Sequence, residues 1–167
     1  VAAPAPRHTG VVDRAGAPLG DRAIEADVCD FAATAAALRN GNLLIHLAGI
    51  DASVKAHASE VYRVNTVGTW NVLQAAEELH YKKVILCSSV AALGLDGAHK
   101  DNVPARLPVA EDADLRPYHA YGLSKRISEE IGHAFFRRTG IPTLCLRPAL
   151  VLFPDLRQGF VDKALNK

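Results

Sequence analysis

The stretch Asn42-Leu43-Leu44-Ile45-His46-Leu47-Ala48-Gly49 decides the architecture. Residues 42–47 hold a compact apolar run around Leu43, Leu44 and Ile45, the pattern of a strand buried on both faces. Ala48-Gly49 then gives the chain a tight exit from that strand. Two further runs read the same way: residues 83–87, ending at Cys87, and residues 143–146, followed by Arg147-Pro148.

Between these strands the apolar period changes. From about residue 55 to 79, Val61, Val64, Gly68, Val72, Ala75 and Leu79 recur every three or four positions, which is a long amphipathic helix. A second long helix spans about 119–139, with Ile127, Ile131 and Phe135 on one face, and Gly140 and Pro142 stop it. The alanine-rich segment 30–38 is helical by propensity, opened by Asp30 and closed by Asn40-Gly41. Upstream, residues 9–13 read as a short strand ending at Asp13, residues 14–21 as a loop, and residues 23–28 as a weaker strand. Residues 92–116 carry Gly, Pro and charges without a period, and so form a long loop. Buried strands alternating with helices imply βαβ units, a parallel sheet with helices on both faces. The fold class is α/β, a Rossmann-like doubly wound sheet.

Composition bounds the partners. The 167 residues are 49% apolar and 22% charged, an ordinary globular mix with length enough for one core. Nineteen basic and 18 acidic residues give a net charge of +1, so nothing electrostatic favours nucleic acid or an anionic membrane as partner. No apolar run approaches the ~20 residues of a bilayer span. Cys29, Cys87 and Cys145 are far apart and form no Cys-x-x-Cys unit; Cys87 and Cys145 sit inside apolar runs, which fits buried free thiols, and a reducing cytoplasm fits the set. Trp70, His57, His80 and His133 lack ligand spacing, and no metal site is expected.

In such sheets ligands bind beyond the carboxyl ends of the strands. Asp13, Ala48-Gly49, Ser88-Ser89 and Arg147-Pro148 all fall on that edge. Each alone also fits a plain role as turn residue, strand exit or cap. Tyr121 and Lys125, four apart on a helix, share one face, and an ammonium beside a phenol favours the phenolate.

Taken in order, these residues resemble the extended branch of the short-chain dehydrogenase/reductase superfamily, the NAD-dependent epimerases and dehydratases. His46-Leu47-Ala48-Gly49 resembles its fourth-strand motif near the adenine ribose. The run Asn65-Thr66-Val67-Gly68-Thr69-Trp70-Asn71-Val72-Leu73 is similar to its helix motif. Ser88-Ser89 with Gly94 matches its serine motif, and Tyr121-Gly122-Leu123-Ser124-Lys125 its Tyr/Lys motif. Leu146-Arg147-Pro148 resembles the segment whose backbone approaches the nicotinamide.

The resemblance implies a hydride-transfer enzyme using NAD on a sugar-like alcohol, foremost a nucleotide sugar. The alternatives are a simple dehydrogenase of a sugar acid or other secondary alcohol, and a non-catalytic dinucleotide-binding module. Tyr121 would move the proton of the substrate hydroxyl. Lys125 would hold the ribose and lower the Tyr121 pKa. Ser89 would stabilise the reacting oxygen, and Asn65 would support the site. Asp13 would bind the adenosine ribose and favour NAD over NADP, while Arg14 leaves NADP open. Asp27 and Val28 would contact adenine, and Leu47, Ala48, Gly49 and Pro148 would line the cofactor. A homodimer through the helices near 55–79 and 119–139 is common in the resembled family; otherwise these helices only cover the sheet.

The resemblance also marks what the residues given lack. The glycine-rich turn after the family's first strand is missing, and that strand lies between the second and fourth in the family's order. Its omission opens the sheet at its centre, so the sequence is expected to be part of a longer polypeptide. Residues 1–152 are then an incomplete dinucleotide-binding domain and residues 153–167 the start of a substrate-binding segment. The stretch 96–116 reads either as a lid over substrate or as a surface excursion.

Overall fold

The computed structural model describes residues 9–11, 22–95, 103–104 and 106–151, with residues 9–11, 22 and 23 described by backbone alone. Asp13, Arg14 and residues 153–167 lie outside the described residues, as do 96–102 and 105 of the long loop. Strands β1 (Thr9–Val11) and β2 (Arg22–Ile24) pair in parallel. Strands β3 (Leu43–His46), β4 (Lys83–Cys87) and β5 (Thr143–Leu146) form a second parallel sheet in that order. Leu44 stands opposite Val84, and Val84 opposite Thr143.

Parallel neighbours need crossovers, and the helices supply them. Helix α1 (Phe31–Ala37) leads into β3. Helix α2 (Ala58–Tyr62), a π-helical stretch (Arg63–Val67) and α3 (Gly68–Glu78) join β3 to β4. Helix α4 (Ala120–Thr139) joins β4 to β5. The long helix expected over 55–79 therefore starts at Ala58 and carries a π turn in its middle. The weaker strand expected over 23–28 is shorter, and the loop after β4 begins with a 3-10 turn (Val90–Leu93).

Local chemistry sets the ends. The Asp30 carboxylate accepts from the Ala33 N–H at 3.0 Å and caps α1. Helix α4 stops at Gly140, whose φ of 70° would strain a residue bearing a Cβ. Arg137 and Arg138 occupy its last turn, against the negative end of the dipole.

The core forms where Leu44, Val84 and Leu86 of the sheet meet Val72, Leu73 and Phe135 of α3 and α4. Gly132 permits the close approach, since a Cβ there would lie 2.7 Å from Leu86 Cδ1.

Burial departs from expectation in one respect. Leu44 is 6% exposed, whereas Ile45 is 55% exposed, and Leu43, Leu144 and Leu146 are about half exposed. Strands β3 and β5 are buried on one face only, because the described helices gather on the Leu44 side. An unbroken apolar run records what a strand can bury, not what covers it.

Replacing buried Phe135 by Ala should lower the unfolding free energy by about 3–5 kcal/mol in urea titrations. Phe136→Ala, at a half-exposed neighbour, should change it by no more than about 0.5 kcal/mol.

Candidate active site

The carboxyl ends of β4 and β5 open into a cavity of about 600 Å³ lined by Ser89, Tyr121 and Pro148, with Asp51, Cys87 and Leu95 on its walls. Backbone bonds hold its floor together. Ser88 N–H donates to the Leu146 carbonyl at 2.7 Å, and Val90 N–H to the Pro148 carbonyl at 3.2 Å. These bonds extend the parallel ladder beyond the strands.

Ser89 Oγ accepts from the Ala91 N–H at 3.1 Å, capping the 3-10 turn that ends at Gly94. That cap leaves Ser89 on the same cavity wall as Tyr121, where its hydroxyl opposes the effect of burial on the phenol. Gly122 brings the two elements together: a Cβ at that position would sit 2.5 Å from the Ala91 carbonyl oxygen. Helix α4 opens under His119, whose Nδ1 accepts from the Gly122 N–H at 3.1 Å.

Lys125 is buried with its Nζ 5.7 Å from the centre of the Tyr121 ring, donating to the Cys87 carbonyl at 2.7 Å. The pair spacing thus places both groups together. Their electrostatics differ from expectation. Burial raises the Tyr121 phenol above its ordinary value, with Ser89 acting in the opposite direction, while burial lowers the Lys125 ammonium. Burial is the largest influence on Tyr121 here, and the Lys125 ammonium gives one of its three hydrogens to the Cys87 carbonyl.

Asn65 lies in the π-helical stretch and is buried. Its Oδ1 accepts from the Ile50 N–H at 2.7 Å, and its Nδ2 donates to the Ile50 carbonyl and to Ser124 Oγ, each at 2.9 Å. Ser124 Oγ in turn donates to the Tyr121 carbonyl at 2.7 Å. Asn65 therefore ties the β3 exit to the first turn of α4.

A smaller cavity of about 150 Å³ adjoins the β3 exit, lined by Asp27, Val28, Ala48 and Gly49 together with Glu60 and Arg63. Sequence reading brought the first four to one place but missed Glu60 and Arg63, an ion pair at 2.8 Å. Leu47 does not line it and is largely exposed. Also missed was Glu129, 1% exposed, which accepts from Ser88 Oγ and from Arg147 Nε and Nη2 at 2.9 and 2.7 Å. It stands two turns after Tyr121 on α4, but that spacing alone carries no mark of burial.

His46 Nε2 lies 3.0 Å from Thr69 Oγ1, which donates to the Asn65 carbonyl at 2.6 Å, so the imidazole serves as donor. Burial, then the Lys125 charge, depress its pKa to about 4. Its ring resonances should stay unchanged in NMR titrations from neutral pH down through the usual imidazole range, and titrate at about 4. Since the unfolded imidazole takes a proton at about 6.5, its contribution to stability should fall as pH drops from about 6.5 to about 4.

Comparison with known proteins agrees with this geometry. The model of the NAD dependent epimerase/dehydratase family matches residues 2–167. The chain is 32% identical over 131 residues to the 3 beta-hydroxysteroid dehydrogenase/Delta 5→4-isomerase of vaccinia virus (strain Copenhagen), covering 75% of this chain and 37% of that protein. It is 31% identical over 128 residues to the uronate dehydrogenase of Pseudomonas syringae pv. tomato, covering 74% of this chain and 42% of the relative. The structure of UDP-glucose 4-epimerase from Brucella ovis, in complex with NAD, superposes with a TM-score of 0.66 at 29% identity, covering 77% of this chain and 38% of that one. The chain thus spans less than half the length of each of these relatives. With the serine, tyrosine and lysine gathered at the carboxyl edge of a parallel sheet, and a family model matched along nearly all its length, this chain belongs to the NAD dependent epimerase/dehydratase family.

Proposed function

We propose that this chain carries the hydride-transfer site of an NAD-dependent enzyme acting on the secondary alcohol of a sugar-like substrate. The observation that carries the reading is the cavity of about 600 Å³ that Ser89 and Tyr121 line together. A dinucleotide fits the residues present. The smaller cavity on Asp27, Val28, Ala48 and Gly49 has the place expected for adenosine, and Pro148 borders the place for nicotinamide. Gly49 allows Asn65 its close approach to the β3 exit, for a Cβ there would lie 2.9 Å from Asn65 Oδ1. Asp13 and Arg14 lie outside the described residues, so the choice of NAD over NADP rests on the family.

When bound, NAD supplies the acceptor for the hydride of the alcohol carbon. Tyr121, as phenolate, takes the hydroxyl proton of the substrate. Ser89 donates to the same oxygen and steadies charge developing there. Lys125 holds ribose hydroxyls through whatever Nζ valence the Cys87 carbonyl leaves free. Asn65 fixes the turn of α4 that carries Tyr121.

The finer proposal is a nucleotide sugar or sugar acid as substrate. UDP-glucose epimerase and uronate dehydrogenase among the relatives support it. The steroid dehydrogenase relative makes an apolar alcohol the competing substrate. Free thiols at Cys29, Cys87 and Cys145 support the cytoplasmic setting proposed for it. No helix of the described residues is long and apolar enough to cross a membrane. The proposed homodimer would use α2 to α4, on which Val67 and Trp70, one turn apart, are half exposed.

The intact protein should be assayed with NAD against D-glucuronate, UDP-glucose and a 3β-hydroxysteroid. NADH accumulation identifies a dehydrogenase; sugar inversion without NADH identifies an epimerase. Tyr121→Phe should cut turnover by about 10²–10⁴-fold while NAD binding persists, and unchanged turnover would remove Tyr121 from the mechanism. Oxidation should quicken as pH rises, because Tyr121 acts deprotonated and burial holds its pKa high.

A further inference from the structure

A single carboxylate lies beneath the elements that bound the larger cavity. Glu129 of α4 is 1% exposed and stands one turn beyond Lys125 and two beyond Tyr121. It receives three donors. Ser88, next to Ser89 at the β4 exit, gives its hydroxyl; Arg147, next to Pro148 at the β5 exit, gives a two-pronged guanidinium fork at 2.9 and 2.7 Å. The third face of that guanidinium reaches the loop, where Nη1 donates to the Glu111 carbonyl at 2.9 Å.

We infer that Glu129 is a positioning residue, one that sets the Ser89–Tyr121 distance by fastening Ser88 and Arg147 to the helix that carries Tyr121. The inference rests on the hydride-transfer reading above. A residue needed only for packing would not require charge at this depth. A buried carboxylate left with one partner removed is strongly destabilising, and an apolar substitute is often no worse than the pair. What an apolar side chain cannot do is hold two neighbouring strand exits in one register through directed bonds. Burial pushes the Glu129 carboxyl upward, but the bonds from Arg147 and Ser88 outweigh it and keep the group ionised below the usual carboxylate range.

The consequence falls on Tyr121. The groups bearing on its phenol are Ser89, Cys87 and Asp51, with Lys125 over the ring and His119 stacked beside it at 6.2 Å between centroids. Of the three that act on its titration, Ser89 alone lowers it. Loosening the β4 exit should carry the Ser89 hydroxyl away from the phenol and let the phenol rise further. The groups facing Glu129 are Arg147 and Ser88, with His133 on its own helix and Cys145 on β5 near enough to feel its charge.

Two substitutions test this in the intact protein. Glu129→Gln removes the charge at nearly constant shape, and Ser88→Ala removes only the hydroxyl link while leaving the Arg147 fork. Each is followed by NMR titration of tyrosine labelled at Cζ, with Tyr121→Phe assigning the resonance, and by the pH–rate profile on the alcohol the wild type oxidises. Tyr121 should titrate about one unit higher in both variants. The acid limb of kcat should move with it, kcat should fall about 10- to 100-fold in Glu129→Gln, and KM should hold. A Tyr121 titration unchanged in Ser88→Ala overturns the inference, even if Glu129→Gln unfolds. Unchanged turnover in Tyr121→Phe would instead sink the hydride-transfer reading, and the titration decides the positioning role separately.

Discussion

Asn65 is the constraint on which the remainder of the site depends. Its amide exchanges two bonds with the Ile50 backbone at the β3 exit and gives one to Ser124, while its own carbonyl accepts from Thr69 and from Ser128 at 2.6 and 2.9 Å. Every one of these groups is buried or half-buried, where a polar atom without a partner costs about 1–3 kcal/mol. The π-helical stretch over Arg63–Val67 accompanies this arrangement. A π turn accommodates one extra residue and shifts the side chains that follow it, a device frequent at functional sites. Asn65 thus faces the sheet edge and α4 together, and Gly68 just beyond lets the helix approach Val28, where a Cβ would stand 2.6 Å from Val28 Cγ2.

The polar interior is fully satisfied among the described residues, with no buried side-chain nitrogen or oxygen lacking a partner. Networks of this kind fix one geometry because each member is costly to release. Asn65 links β3 to α4, and Glu129 links α4 to the β4 and β5 exits. The two networks share helix α4. Tyr121 and Lys125 sit between them, which is why a phenol and an ammonium on an otherwise ordinary helix are held in fixed relation to Ser89.

Much of this was legible in the chain. The runs at 83–87 and 143–146 coincide with β4 and β5, and the run at 42–47 contains β3. Short buried strands and long amphipathic helices leave strong periodic signals. The Tyr121/Lys125 pair, Ser89 and Asn65 were placed together by family motif rather than by period, and the structure brings them to one edge. The π turn was not legible, since its apolar spacing differs little from that of an α-helix. Nor was Glu129, because a lone Glu on a helix carries no mark of burial until its partners from distant strands are known. The open face of β3 and β5 was misread for a similar reason: covering a strand is a property of its neighbours. Among the described residues, β1–β2 and β3–β5 form two sheets with no ladder between them.

Burial bears on Tyr121 and Lys125 in opposite directions on the pH scale and toward the same end. Burial raises the phenol and lowers the ammonium, in each case working against the charged form. Sequence spacing alone would have argued for a phenolate stabilised by its ammonium neighbour. In the fold, that ammonium donates to the Cys87 carbonyl, and Ser89 opposes the effect of burial on the phenol. The chemistry of the pair is therefore governed from outside it, by the hydroxyl hydrogen that Ser89 offers and by whatever charge a ligand brings into the cavity. A proton-transfer group kept in this state is ready to respond to substrate and reluctant to ionise without it.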